Sequence, residues 1–243
     1  MLGQPLWDLP DPARAEPGAD LLGVGGDLDA NTLIYGYAHG LFAMHLHPDD
    51  IPAHLRPEGP LVGWWSPDPR GVLDPSELIV STSLWRTMGR FTVSVDTAFA
   101  DVVAGCADPS RPHGWITPDY VNAYEELFEA GYAHSIEVWD DSVELAGGLL
   151  CVEVGGLIAA ESKFHRATNA SKVAVVALCG LLNAAGPGRL IDVQWWTEHL
   201  DTLGADEIPR SEYLQRLVGL ADLAPALTGL GLERRPARTL WQR

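Results

Sequence analysis

The sequence is poor in positive charge, and in lysine above all. Its 243 residues include only 16 lysines and arginines against 33 aspartates and glutamates, which gives a net charge of −17. This charge argues against general attraction to a nucleic acid backbone, so any contact with nucleic acid must be local. Only two lysines occur, Lys163 and Lys172, and they lie in one short block.

Cysteine and long apolar runs are also scarce. The three cysteines (Cys106, Cys151, Cys179) have apolar neighbours and no C-x-x-C spacing, so we expect small buried side chains in a reducing compartment. The longest apolar run, within residues 173–182, is too short to span a bilayer. Residues 1–17 lack the apolar core of a signal peptide. We therefore expect a cytoplasmic protein.

Hydrophobic residues make up 47% of the chain, enough to bury a large core. The pattern of apolar and turn residues predicts a small N-terminal domain (residues 1–66) and a larger domain (residues 67–220). In the small domain, Asp29 is expected to cap a helix that Gly40 ends. Residues 221–243, rich in glycine and arginine, are predicted to form a poorly ordered tail.

Alternating apolar residues predict short strands at residues 71–73, 78–80 and 91–95 of the larger domain. Asp96 is expected to cap one helix and Thr117-Pro118 to open another. From His134, three antiparallel strands precede a helix at 170–185, a strand at 189–195 and two shorter helices. This order is similar to the GCN5-related N-acetyltransferase fold. The expected class is therefore α/β (α+β), a mixed sheet flanked by helices.

The most distinctive stretch runs from Gly63 to Arg70, where Trp64 and Trp65 precede Ser-Pro-Asp-Pro. The two prolines fix their own φ angles and keep the residues before them out of helical geometry. Indole rings held on such a support suit stacking on a planar ligand, but they also suit packing in a core.

Six blocks, in order and with compatible spacing from about Leu21 to Leu217, resemble the leucyl/phenylalanyl-tRNA–protein transferase family. They are Gly25-Gly26-Asp27-Leu28, the tryptophan stretch, Trp115-Ile116-Thr117-Pro118, Glu161-Ser162-Lys163-Phe164 with Asn169-Ala170-Ser171-Lys172, Ile191-Asp192-Val193-Gln194, and Leu203-Gly204-Ala205 with Glu207-Ile208-Pro209-Arg210. The resemblance implies an aminoacyltransferase that moves leucine or phenylalanine from aminoacyl-tRNA to a protein beginning with arginine or lysine. The added residue marks that protein for degradation.

The resemblance also implies roles for single residues. Asp192 orients or polarises, Gln194 contacts the reacting amine or carbonyl, and Glu161 lies beside the aminoacyl group. The aromatic positions around the terminal adenosine or the acceptor are Tyr37, Trp115 and Tyr124, with Met44 where the family has tryptophan. The pocket for the transferred side chain comprises Leu149, Ile158, Lys163 and Val175.

Lys163 departs from the family, which has an apolar residue, typically methionine, at this position. A buried ammonium is costly unless it is paired. Either the lysine extends out of the pocket, or the pocket receives a different amino acid. Because Lys163 follows Glu161 by two residues on one strand, the two side chains are expected to share a face and to be able to contact each other.

Two other classes of function remain open. An acetyl-CoA-dependent acyltransferase would suit the fold, although residues 166–171 lack the glycines of a pyrophosphate-binding loop. A non-enzymatic adaptor could bind basic N-termini through its acidic surface. No cofactor is implied. No metal site is expected, because His45, His47 and His54 have no acid or cysteine at strong ligand spacing.

Overall fold

The computed structural model describes residues 5–47, 61–111 and 114–241, which form a mixed α/β fold with two sheets. The helices are α1 (Ala30–Ala38), α2 (Thr82–Met88), α3 (Phe99–Cys106), α4 (Pro118–Glu129), α5 (Ala170–Ala185), α6 (Glu198–Asp201) and α7 (Arg210–Leu220). The strands are β1 (Leu21–Val24), β2 (Phe42–His45), β3 (Val62–Trp65), β4 (Arg70–Leu73), β5 (Thr92–Val95), β6 (Ala133–Trp139), β7 (Leu145–Val154), β8 (Leu157–His165), β9 (Leu190–Gln194), β10 (Asp206–Ile208) and β11 (Arg235–Pro236). The predicted class, a mixed sheet flanked by helices, is confirmed, and the finer likeness to N-acetyltransferases stays a prediction.

The smaller sheet is antiparallel, in the order β1-β3-β2. As predicted, the Asp29 side chain caps α1, by accepting a hydrogen bond from the Asn31 N–H, and Gly40 ends the helix in the left-handed region at φ +85°. Trp64 is buried, and its indole N–H donates to the Gly25 carbonyl at 2.9 Å. This ring is therefore part of the core, whereas the adjacent Trp65 is half-buried.

The larger sheet has the order β10-β4-β9-β8-β7-β6-β5-β11, and β8–β9 is the parallel pair among its described strands. Strand β7 shows how the layers form: Leu149 and Cys151 pack with α5, and Leu150 and Val152 pack with α3 and α4. Such alternation is what a strand buried on both faces requires. Within the described ranges, no helix has the length and apolar character needed to cross a membrane.

Two predictions about local structure are wrong. Residues 78–80 belong to no strand; the Ile79 side chain is exposed, and its N–H donates to the Leu203 carbonyl at 2.9 Å. Asp96 does not cap a helix. It adopts φ +60°, and its carboxylate accepts from the Ser135 N–H at 2.8 Å and contacts His134 Nδ1 at 2.8 Å. These contacts occupy the side chain, and α3 begins at Phe99 without a side-chain cap.

Residues 221–241, part of the segment expected to be a poorly ordered tail, are packed against the larger sheet. The buried Glu153 carboxylate accepts hydrogen bonds of 2.6–3.2 Å from the backbone N–H groups of Ala226, Leu227 and Thr228. Strand β11 pairs with β5, and Ala237 is fully buried. An acid far away in the sequence therefore anchors the segment. The domain boundary near residue 66 stays a prediction.

Candidate active site

The two parallel strands of the larger sheet separate before they end. Strands β8 and β9 pair from Leu157–Leu190 to Ala159–Asp192, where their common register stops. Beyond this point a cavity of about 260 Å³ opens between the strand ends. Its lining comes from β7, β8, β9, α5 and the segment after β9, namely Leu149, Ala160, Glu161, Ser162, Lys163, Val175, Leu178, Ile191, Val193, Gln194, Trp195, Thr197 and Leu200.

A β-bulge lies in each of the two strands that border the cavity. In the β7–β8 ladder the register skips Glu161, and in the β4–β9 ladder it skips Val193. Bulges break the alternation of side chains and occur often beside active sites. The bulge at Glu161 explains why the expected contact between Glu161 and Lys163 does not form. Among the described residues, Glu161 hydrogen-bonds to Tyr124 and Gln194, and Lys163 forms no ion pair with it.

Glu161 is a buried carboxyl group held by two side chains. The Tyr124 hydroxyl donates to Oε2 at 2.7 Å, and Gln194 Nε2 donates to Oε1 at 3.3 Å. Burial raises the pKa of Glu161 to about 7, against the lowering effect of the Tyr124 and Tyr37 hydroxyls. The Tyr37 hydroxyl is close enough for this effect but forms no hydrogen bond of regular geometry. A carboxyl group with such a pKa exists in both protonation states at neutral pH, which suits proton transfer.

Gln194 is positioned by Asp192. It adopts φ +61°, a left-handed conformation that few residues other than glycine adopt, and its backbone N–H donates to Asp192 Oδ1 at 2.9 Å. Asp192 is fully buried and also accepts two hydrogen bonds from Arg70, at 2.8 and 2.6 Å, and one from the Tyr213 hydroxyl at 2.8 Å. Both of its oxygens are therefore engaged by protein groups, and it does not line the cavity.

The sequence did not reveal the buried partner of Asp192. The Arg70 guanidinium has no exposed surface and lies between the rings of Phe42 and Tyr213, 4.8 and 4.5 Å from their centroids. Burial is the largest single effect and lowers its pKa, but Asp192, Tyr213 and Glu161 together outweigh burial, so the pKa of Arg70 lies above its ordinary value. Arg70 precedes Asp192 by 122 positions, a separation at which no sequence signal links two side chains.

The predicted aromatic residues lie on one side of Glu161. Tyr37 and Tyr124 are buried on α1 and α4. Trp115 is half-buried and packs edge-on against Tyr124 at 6.4 Å and Tyr120 at 5.2 Å between ring centroids. Tyr120 was not predicted as a site residue, although it lies on the same apolar stripe of α4 as Tyr124.

Three of the four residues predicted for the side-chain pocket line the cavity: Leu149, Lys163 and Val175. The fourth, Ile158, is fully buried in the core beside α5 and is not part of the wall. Met44 lies half-buried on β2, in the smaller sheet. Sequence reasoning missed the rest of the apolar wall because it comes from helix stripes and from the bulged strand: Leu178, Ile191, Val193, Trp195 and Leu200.

The structure offers no clustered metal ligands in the parts that it describes. Residues 5–47, 61–111 and 114–241 contain no group of three or more histidine, cysteine, aspartate or glutamate side chains that could hold a metal ion. His45 and His47 lie within these ranges, whereas His54 lies outside the described residues.

A family model described as leucyl/phenylalanyl-tRNA protein transferase matches residues 72–218, which include the cavity. The chain belongs to this family. The leucyl/phenylalanyl-tRNA–protein transferase of an Anaeromyxobacter species is 47% identical over 226 residues, covering 91% of this chain and 90% of the relative. That of Solidesulfovibrio magneticus is 45% identical over 222 residues, covering 89% and 83%. The resemblance found in the six sequence blocks is thus confirmed.

Proposed function

We propose that this chain transfers leucine or phenylalanine from aminoacyl-tRNA to the N-terminal arginine or lysine of an acceptor protein, in the cytoplasm. The observation that carries the proposal is the Glu161–Gln194 pair at the wall of the cavity, where a carboxyl group with a pKa of about 7 meets a fixed amide. In a member of this transferase family, such a pair is well suited to the proton transfer that peptide-bond formation requires.

The reaction needs no protein nucleophile, because the aminoacyl ester is already activated. The α-amine of the acceptor, with a reference pKa of about 7.7–8.0, attacks the ester carbonyl. The new C–N bond forms, and the C–O bond to the tRNA ribose breaks. Glu161 accepts the proton from the amine. The same proton then passes to the leaving ribose oxygen, which becomes a hydroxyl group. The Gln194 amide lies next to Glu161 and holds the amine or the carbonyl, and Asp192 positions Gln194 without touching substrate.

The cavity fits an apolar amino acid. Its volume is about 260 Å³, and Leu149, Val175 and Leu178 supply apolar walls. Burying a leucine or phenylalanine side chain there would contribute roughly 1.5–3 kcal/mol. Trp115 and Met44 are half-buried, and we assign them to the terminal adenosine. Tyr37 and Tyr124 keep Glu161 in place.

The direct test is a transfer assay with a panel of charged tRNAs and a peptide that begins with arginine. We expect product with leucyl- and phenylalanyl-tRNA and none when the N-terminus of the peptide is acetylated. A protein that binds the peptide but forms no product with any charged tRNA would be an adaptor. Acetylation of the peptide from acetyl-CoA would favour the other acyltransferase class.

The affinity for tRNA should depend weakly on salt. With a net charge of −17, the protein can neutralise few phosphates and must recognise mainly the charged 3′ end. For about one to three phosphates on a single strand, the slope of log affinity against log salt is about −0.7 to −2. Titrations at several salt concentrations give this slope. A slope that corresponds to six or more phosphates, or equally tight binding of uncharged tRNA, would contradict the proposal.

A further inference from the structure

A second hollow adjoins the active-site cavity. It has a volume of about 460 Å³ and shares Lys163 with the 260 Å³ cavity. The side chains that give it its character are Arg111, Lys163, His165, Arg166 and His199. We name it the basic hollow.

Such a concentration of bases is unusual in this chain. Acids outnumber lysines and arginines 33 to 16, yet one of the two lysines lines the hollow, and the other, Lys172, follows the hollow residue Ser171 on α5. Asp108 is the acidic residue among the side chains that line the hollow. Its side chain accepts a hydrogen bond from the Ser110 N–H at 2.8 Å and lies at the exposed rim. In the described part of the chain, the ion pairs within 4.0 Å do not include Arg111, Lys163 or Arg166.

The hollow is preorganised, because hydrogen bonds hold the Arg111 side chain in its wall. One terminal nitrogen of Arg111 donates to the Cys106 carbonyl at 2.5 Å and to Ser162 Oγ at 3.2 Å, and the other donates to the Lys163 carbonyl at 2.8 Å. Arg166 is held as well, because it donates to the Leu145 carbonyl at 3.1 Å. Cations that are fixed in advance lose little freedom when an anion binds.

The bases repel one another where they stand. Burial lowers the pKa of Lys163, and the Arg111 guanidinium lowers it further. The pKa of His199 is also lowered, first by burial and then by Lys172 and Lys163. One carboxylate, Asp108, stands among these cations, so the group keeps a net positive charge, and a bound anion would relieve the remaining repulsion. Lys163 lines the hollow as well as the apolar cavity, so an anion bound in the hollow would offset the charge of a lysine that stands beside apolar side chains.

We propose that the basic hollow binds the backbone phosphates of the last nucleotides of the aminoacyl-tRNA. The inference rests on the proposed function and adds to it the place where the 3′ strand lies. Because Lys163 borders both spaces, the aminoacyl end occupies the cavity while the preceding phosphodiesters lie against Arg111, Lys163 and Arg166. The first turn of α5 begins at Ala170, next to the hollow, and its N–H groups add partial positive charge.

Two probes separate phosphate binding from aminoacyl binding. One is phenylalanyl-adenosine with a stable amide link and no phosphate, and the other is the same compound extended to a CCA trinucleotide. We expect Arg166→Ala and Arg166→Gln, which both remove the charge of a residue that lines the hollow, each to weaken trinucleotide binding about fivefold at low salt and to reduce the salt slope by about 0.7. Binding of the phosphate-free nucleoside should not change. The matched control is Arg235→Ala, since Arg235 is exposed on β11 at the far edge of the sheet; it should leave both probes unaffected.

The outcomes distinguish this inference from the proposed function. If wild-type protein binds neither probe, the proposed function itself fails. If wild type binds both and the two Arg166 variants bind the trinucleotide as wild type does, the hollow is not a phosphate site. Equal losses for both probes would mean that the substitutions disturb the cavity, which would also overturn the inference. Tight binding of acetyl-CoA that these variants lose would assign the hollow to a different phosphate ligand.

Discussion

Replacing Glu161 with glutamine is expected to lower the rate of leucine or phenylalanine transfer by about 100-fold or more, the range in which general-base catalysis operates. Glutamine keeps the size of the side chain and an oxygen that accepts the Tyr124 hydrogen bond of 2.7 Å. It cannot accept the proton of the attacking amine. The measurement is single-turnover transfer to a peptide that begins with arginine, so that product release does not hide the chemical step.

The control is Glu144→Gln, which removes an exposed carboxylate from the β6–β7 turn and should transfer at the wild-type rate. A Glu161→Gln variant that keeps more than about a tenth of the rate, a loss below roughly 1.4 kcal/mol in the barrier, would remove Glu161 from the role of base.

The pH dependence should carry the signature of the same group. Because the pKa of Glu161 is raised to about 7, the base form grows as the pH rises through 7, and the rate should rise with it. The glutamine variant should lose this limb of the profile and keep the one that belongs to the acceptor amine. A wild-type rate that is flat between about pH 6 and 7.5 would contradict the assignment.

Stability should respond in the opposite direction. A carboxyl group whose pKa is higher in the folded state than in the unfolded chain favours folding while it is protonated, and this contribution is lost as the pH rises through the folded pKa. Between about pH 5.5 and 8, the wild type should therefore lose roughly 2 kcal/mol relative to Glu161→Gln. Urea unfolding at both pH values measures the difference. Both values lie above the sequence pI of 4.6, so precipitation near the pI is avoided.

Sequence patterns predicted those parts of the fold that depend on neighbouring residues. Helix α5 has the predicted bounds, and the three antiparallel strands predicted from His134 are present as β6, β7 and β8. The prediction of a strand at residues 78–80 is wrong because three apolar residues in a row do not specify a sheet partner. The packed tail was missed because Glu153 anchors it across 73 positions or more.

In the candidate site, too, local motifs were predicted and contacts between residues far apart in the sequence were not. Motifs identified Glu161, Asp192 and Gln194, and the structure places Gln194 against both of the others. No motif showed that the two β-bulges shape the cavity, because a bulge depends on the pairing of strands and leaves no periodic signal. Nor could local pattern show that Arg70, Tyr213 and the Gln194 N–H occupy both oxygens of Asp192.

Asp192→Ala is expected to destabilise the protein by about 3–5 kcal/mol, because it leaves the buried Arg70 charge without its partner. Arg70 donates to both oxygens of Asp192, at 2.8 and 2.6 Å, and neither side chain has exposed surface. The Tyr213 hydroxyl and the Gln194 N–H lose their acceptor as well. Gln194→Ala should instead keep most of the stability and lose transfer. Urea unfolding and single-turnover transfer, measured on both variants, separate the two roles.

The double variant Arg70→Met/Asp192→Asn tests the reason for that loss. It removes both charges and fills the place of the arginine with an apolar chain. The asparagine keeps one oxygen that accepts from the Gln194 N–H, which now donates to Oδ1, and its amide N–H can donate to the Tyr213 hydroxyl oxygen, which now donates to Oδ2. If an unpaired buried charge causes the instability, the double variant should regain most of the stability that Asp192→Ala loses. Its transfer activity should follow how well Gln194 keeps its left-handed conformation. Were Asp192→Ala as stable as wild type yet inactive, Asp192 would take part in the chemistry directly, and its place as a positioning residue would be lost.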